Sequence, residues 1–237
     1  MNWTKIIDDT EICQEETFKL LGVILDKELN FTDHIATICV ITSRKIWILT
    51  RMRNLIPIHA KLQIYKSAIL PQFDYFNLVW HFCKASDKNK LERVNERGLR
   101  AVYCDYKSPY EELLKRAKLT TLYNRRLQNI AIFMYKIKCK LLPKTVIADL
   151  FTCPNHKYNL RNTDFSINSF ITVYGKNSLR YFGRHLWSKL KSIRLEPSVS
   201  VFKNKIRKLD LTHLTWLKFV KLYMCLYFYI SWHWIVN

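Results

Sequence analysis

Two carboxylates stand side by side at Asp8 and Asp9, seven cysteines are spread singly, and four cations recur as Lys90, Arg93, Arg97 and Arg100. Each pattern names a chemistry. Adjacent carboxylates can hold divalent metal for phosphoryl chemistry, but such sites draw on a further carboxylate. None precedes Asp8, so the pair receives no catalytic role. Cys153-Pro-Asn-His156 comes nearest to a zinc spacing. With Cys139 it offers three donors where a structural zinc takes four, and no metal site is expected. Gly-rich phosphate loops, Gly-x-Ser-x-Gly, His-Glu-x-x-His and the zinc-deaminase signature do not occur. The seven histidines stand singly, with His34 and His59 opening helices as packing or capping residues. No small-molecule substrate is implied, and the cations remain.

Thirty-nine Lys and Arg against nineteen Asp and Glu give a net charge of +20 over 237 residues. The excess is not spread evenly. Residues 1–33 hold three basic and eight acidic side chains, so the rest of the chain carries a surplus of 25 positive charges. A field of that size attracts polyanions, nucleic acid first and a membrane surface second. An odd cysteine count without Cys-x-x-Cys points to reduced thiols and an intracellular address, nuclear or cytoplasmic. The acidic start, with residues 8, 9, 11, 15 and 16, does not read as a signal peptide.

The elements that must position the cations follow from periodicity. Residues 5–7 and 18–25 read as short strands around the turn-like Asp8-Asp9-Thr10, with Gly22 inside the second apolar run. Glycine there costs stability unless a bulge or a close approach requires it. A helix from Thr32 carries Ile35, Ile38, Ile41, Ile46 and Leu49 toward a basic end at Arg44, Lys45, Arg51 and Arg53. A second runs from Ile58 to Leu70 and stops at Pro71, and FDYFNLVW (73–80) is apolar enough to pack between helices. A third spans Ser86 or Asp87 to about Cys104. It sets Leu91, Val94, Gly98 and Ala101 on one face and the Lys90–Arg93–Arg97–Arg100 ladder on another, where Glu92 and Glu96 could balance it into a solvated face.

Ser108-Pro109-Tyr110-Glu111 matches a capping box for a short helix ending near Lys118. A longer helix follows from Thr120 or Thr121, through Leu127, Ile130, Met134, Ile137 and Leu141 to Pro143, displaying Arg125 and Arg126. Cys153 to Thr172 reads as a connection. Beyond it, Leu179, Phe182, Leu186, Trp187 and Leu190 form a helix with Arg180 and Arg184 on a neighbouring face, and Phe202, Ile206 and Leu209 form a last short one.

In this order the elements resemble the C-terminal part of the reverse transcriptase of non-LTR, LINE-type retrotransposons of the jockey-like kind. The carrying phrases are FKLLGV (18–23), HAKLQIYKSAILPQFDY (59–75), LERVNERGLRAVY (91–103) and YGKNSLRYFGRHLWSKL (174–190), and the resemblance covers roughly 5–210. It implies a mainly α fold, with a short N-terminal β-hairpin, a helical thumb-like bundle and a second small helical lobe. The implied divisions are a primer-grip-like hairpin at 1–31, a thumb-like domain at 32–107, a helical extension at 108–150 and a basic helical lobe at 151–211; the composition then sets off an apolar aromatic tail at 212–237. By the same resemblance, Gly22 would press hairpin backbone against a primer end, and Lys19 would lie beside it. The basic faces, with Lys90, Arg93, Arg97, Arg100, Arg125, Arg126, Arg180 and Arg184, would contact RNA or DNA phosphates. In the intact family, Mg2+ sits on palm carboxylates that this chain is expected to lack, so it would bind nucleic acid without catalysing, and no cofactor of its own is expected. Two departures stand out: Leu190-Lys191 replaces the usual Leu-Pro, and Gly98 replaces a usual alanine at an apparent cost of about 1 kcal/mol in helix propensity.

The tail has no counterpart in the resemblance. Leu222 to Val236 carries no formal charge, yet a span needs about 20 apolar residues. A buried closing helix, a marginal anchor and an accidental extension compete, and the extension is the expectation. Membrane association through 214–236 is the alternative function.

Overall fold

The computed structural model describes residues 5–7, 10–12, 15–143, 165, 170–191 and 193–214. The Asp8-Asp9 pair, the Cys153–His156 spacing, most of the expected connection and the tail beyond Leu214 lie outside them. The chain forms two compact units, residues 1–122 and 123–237. It is mainly α-helical, behind N-terminal antiparallel hairpins.

In the first unit, β1 (Lys5–Ile7) pairs with β2 (Thr10–Ile12), and β3 (Thr17–Leu20) pairs with β4 (Val23–Asp26). The run 18–25 is therefore a hairpin, not one strand. Leu20 faces Val23, which leaves Leu21 and Gly22 as a two-residue turn with φ of 47° and 84°. Two successive positive φ values mark the turn whose twist matches that of the strands, and glycine adopts its second position at no steric cost. So Gly22 serves a fold requirement of its own. Space is not the limit, since a Cβ there would sit 3.6 Å from the Tyr75 ring, in ordinary contact. Asp26 then organises the descent into the first helix, its carboxylate accepting from the backbone N–H groups of Glu28, Asn30 and Phe31.

Helix α1 (Thr32–Arg51) packs beside α4 (Ala85–Tyr103), and α2 (Ile58–Ile64) and α3 (Leu70–Asp74) bracket a π-helical turn at Tyr65–Ile69. Ile35, Ile38, Ile46 and Leu49 of α1 are buried as the periodicity requires, while Ile41 is exposed. Pro71 does not end the helix. The Leu70 N–H reaches back five residues to the Tyr65 carbonyl, and this wider turn brings Pro71 into the first turn of α3, where a missing N–H costs least. Of the 73–80 segment, Phe73, Asn77 and Trp80 are buried and Tyr75, Phe76 and Val79 are exposed. The Trp80 indole N–H donates to the Tyr75 carbonyl at 2.9 Å.

Gly98 is no simple defect of α4. A Cβ there would lie 2.7 Å from Cε2 of Tyr65 and 3.3 Å from Cδ1 of Ile46. The π turn pushes the Tyr65 ring into the space that glycine leaves. The Tyr65 hydroxyl then donates to Asn95 Oδ1, Asn95 Nδ2 to the Tyr110 hydroxyl at 2.5 Å, and that hydroxyl to Glu92 at 2.9 Å. Burial, with the Glu92 charge beside it, pushes the Tyr110 phenol far up.

Helix α5 (Tyr110–Ala117) has Pro109 at its cap position and no side-chain cap. Ser108 is not the capping residue: its hydroxyl donates to Asp105 Oδ2 at 2.7 Å. Asp105 also accepts from the N–H groups of Ser108 and Lys107 and from Arg116. These bonds, Ser108 foremost, hold its carboxyl well below the usual range.

Helix α6 (Leu122–Lys138) enters the second unit and has no exposed residue along its length. It ends before Leu141: Lys140 turns left-handed (φ 53°), the Leu141 N–H returns to the Lys136 carbonyl, and Leu141 is exposed. After α7 (Val173–Lys176), α8 (Leu179–Lys189) begins at Ser178, whose Oγ accepts from the Tyr181 N–H. Ser198 caps α9 (Val199–Ile206) in the same way, and Leu209 lies past its end. Trp187, Phe202 and Tyr135 form the aromatic centre, with Tyr135 stacked on Phe202 at 4.4 Å. Asn124 and Gln128 of α6 hold the segment after α9, both donating to the Leu209 carbonyl.

Candidate nucleic-acid interface

The ladder on α4 divides into two kinds of cation. Lys90 Nζ lies 2.8 Å from Asp87 Oδ1, and Asp87 is 1% exposed, so this positive charge has a built-in counter-charge. That bond raises the Lys90 ammonium pKa. Arg100 is bound more completely: it pairs with Glu96 at 2.6 Å and donates to the Asp105 and Ser108 carbonyls. Its fork ties the end of α4 to the loop leading into α5. Arg93 and Arg97 are different. Both are exposed, and among the described residues neither meets a carboxylate. Arg97 donates to Ser43 Oγ at 2.9 Å.

That bond joins two helical faces. On α1, Val40, Arg44, Trp47, Ile48 and Arg51 are exposed, with Trp47 at 58%. The Arg51 guanidinium stacks 4.5 Å from the centre of the Trp47 ring. Ser43 lies beside them, so the Arg97 bond sets the exposed face of α4, with Arg93 one turn before Arg97, next to the α1 face that carries the exposed indole. Lys45, by contrast, turns to the Ala68 carbonyl at 3.0 Å. Arg44 and Arg51 were legible as a basic helix end. The i, i+3, i+7 spacing that puts Trp47 between them was the signal available for the aromatic member.

Lys19 is exposed on β3 of the second hairpin, facing Ile24, and Gly22 is exposed at its tip. The backbone beside Gly22 is engaged within the fold, since the Tyr75 hydroxyl donates to the Leu21 carbonyl at 2.8 Å. Under the hairpin, His34 is 4% exposed and its Nδ1 accepts from the Ile24 N–H at 3.5 Å. Burial lowers its pKa.

The arginines of the second unit sit differently from the display expected of them. Arg126 is 1% and Arg184 2% exposed, while Arg125 and Arg180 are half-buried. Arg126 belongs to the inner face of α6 together with Leu122, Leu127 and Ile130, and Arg184 to the inner face of α8 together with Leu186 and Trp187. The structure thus leaves Arg93 and Arg97 on α4 and Arg44 and Arg51 on α1 exposed, with Arg97 bonded to α1, and commits Lys90 and Arg100 to internal partners.

Among the described residues no three His, Cys, Asp or Glu side chains converge on a metal position. Among the same residues no helix is long and apolar enough to cross a membrane. The tail on which the membrane alternative depends falls outside them, apart from Leu214.

Comparison with known proteins gives one partial likeness of note. No family model matches, and no solved structure matches. Over 123 residues, half of this chain, the sequence is 25% identical to a Drosophila melanogaster protein described as a probable RNA-directed DNA polymerase from transposon X-element. The match takes in 13% of that protein's length. The chain is thus weakly similar, over half its length, to part of a transposon RNA-directed DNA polymerase.

Proposed function

We propose that this chain is a nucleic-acid-binding segment of a retrotransposon reverse transcriptase, gripping a primer–template duplex through its phosphates without regard to sequence. The observation that supports it is the pair of exposed basic faces on α1 and α4: Arg44 and the Trp47–Arg51 stack on one, Arg93 and Arg97 on the other, linked by the Arg97–Ser43 bond. Arginines released from carboxylates neutralise phosphates and set free condensed counterions, which makes binding strong at low salt and steeply salt-dependent. An exposed indole adds a stacking or groove contact that needs no particular base. The weak likeness to a transposon polymerase makes an RNA–DNA hybrid the first duplex to try. In this reading nucleotide addition and its Mg2+ belong to carboxylates of the intact polymerase, and the chain alone synthesises no DNA.

Fluorescence anisotropy of a labelled RNA–DNA hybrid, titrated with the full chain at several salt concentrations, tests the proposal. Two unrelated sequences should bind equally, with affinity falling steeply as salt rises. Absent binding at low salt, or a salt-independent affinity, would sink it.

A further inference from the structure

A nitrogen and a sulfur outside the basic surface face each other across the first unit. Lys61 of α2 is 2% exposed. Its Nζ has two partners, the Arg53 carbonyl at 3.3 Å and Cys104 Sγ at 3.4 Å. Buried ammonium groups usually meet a carboxylate; among the described residues none reaches this one. Cys104 directly follows the last residue of α4, in left-handed backbone (φ 54°), and is exposed. Solvent therefore reaches one side of the sulfur while the lysine nitrogen approaches from the protein side.

We propose that Cys104 and Lys61 form a redox cross-linking site, in which a hydroperoxide joins the two side chains through a sulfur–nitrogen bond. In the first step hydrogen peroxide transfers one oxygen to the thiol, giving a sulfenic acid and one water. The sulfur is oxidised and the peroxide O–O bond breaks. In the second, the lysine nitrogen attacks the sulfur, the S–OH bond breaks and a second water leaves. The ammonium gives up two protons, one carried off in that water and one released to solvent. The product is a sulfenamide, a known condensation of sulfenic acids with nitrogen. A thiol reverses it by attack on sulfur, which returns the amine and leaves a mixed disulfide that a second thiol reduces.

The geometry selects this outcome over free oxidation because the nitrogen is already in contact with the sulfur, so condensation is intramolecular. The bond closes a loop between residues 61 and 104, fastens α2 to the end of α4 and removes a buried positive charge. The cross-linked chain should therefore melt at a higher temperature than the reduced one.

The test is peptide mass spectrometry of the full chain after stoichiometric hydrogen peroxide, digested without reductant. The expected product is the Lys61 peptide joined to the Cys104 peptide, lighter than their sum by two hydrogens and separated by dithiothreitol. It should be absent from Lys61→Gln and Cys104→Ser, and from wild-type chain oxidised in denaturing urea. Recovery of Cys104 as sulfinic acid, as a dimedone-trapped sulfenic acid or as a disulfide, with the Lys61 peptide unchanged, overturns the proposal. So does a link formed as readily in urea. The readout in wild-type protein stands even if either variant fails to fold.

Discussion

Replacing the four cations of α4 by glutamine in two pairs separates phosphate contact from structural pairing. Each phosphate contact contributes about 0.9 to the slope of log affinity against log salt, so a uniform ladder would lose about 3.6 on changing all four. The structure argues for half of that. Arg93 and Arg97 meet no carboxylate among the described residues, whereas Lys90 is compensated by Asp87 and Arg100 by Glu96. Arg93→Gln with Arg97→Gln should therefore flatten the slope by about 1.8, and Lys90→Gln with Arg100→Gln should leave it nearly unchanged. Stability should move the opposite way. Arg100→Gln loses the Glu96 pair and two carbonyl bonds, a cost of about 1–2 kcal/mol in a partly exposed setting. Anisotropy titrations on a hybrid duplex at four salt concentrations, with urea melts of each pair, give both quantities. If the Lys90/Arg100 pair carries as much slope as the Arg93/Arg97 pair, the division of the ladder by its internal partners is wrong.

Three further outcomes are expected. Gly98→Ala recovers about 1 kcal/mol of helix propensity but forces a methyl onto the buried Tyr65 ring, an overpacking cost of about 1–3 kcal/mol. Urea denaturation should show a net loss that shrinks in a Tyr65→Leu background, and a net gain would refute the fit between glycine and ring. His34, its pKa lowered by burial from the ordinary 6.5, is neutral in the fold and takes up its proton more readily once unfolded. Its contribution is therefore intact above about pH 6.5 and is lost as pH falls toward the folded value. The difference in urea midpoint between wild type and His34→Asn should narrow on acidification, and a constant difference would count against it. Gly22→Val should destabilise by about 1–3 kcal/mol while Gly22→Asn is nearly neutral, because the cost lies in the positive φ and not in lack of space. Equal losses in thermal melts for both variants would point to a steric role instead.

Period and punctuation in the sequence determined most of the helices. The apolar set Leu91, Val94, Gly98 and Ala101 is buried in α4 because a 3.6-residue repeat leaves a helix only one way to face a core. Ser178 caps α8 because its hydroxyl satisfies a backbone N–H within its own turn, a purely local bond. What the sequence could not decide depended on which of several available partners and neighbours the packing selects. Glu96 stands within one turn of both Arg93 and Arg100, and only the fold assigns it to Arg100, which the Asp105 and Ser108 carbonyls also hold. Arg126 reads as a polar-face residue until packing turns it inward beside Leu122 and Ile130. Pro71 reads as a stop until the π turn at Tyr65–Ile69 moves it to a helix start. Gly98 reads as a weak point until the Tyr65 ring, more than thirty residues earlier, fills the missing side chain's place. Local chemistry set the elements, while the charges left for a polyanion were settled only by packing, since a cation's availability depends on which counter-charges the fold brings beside it.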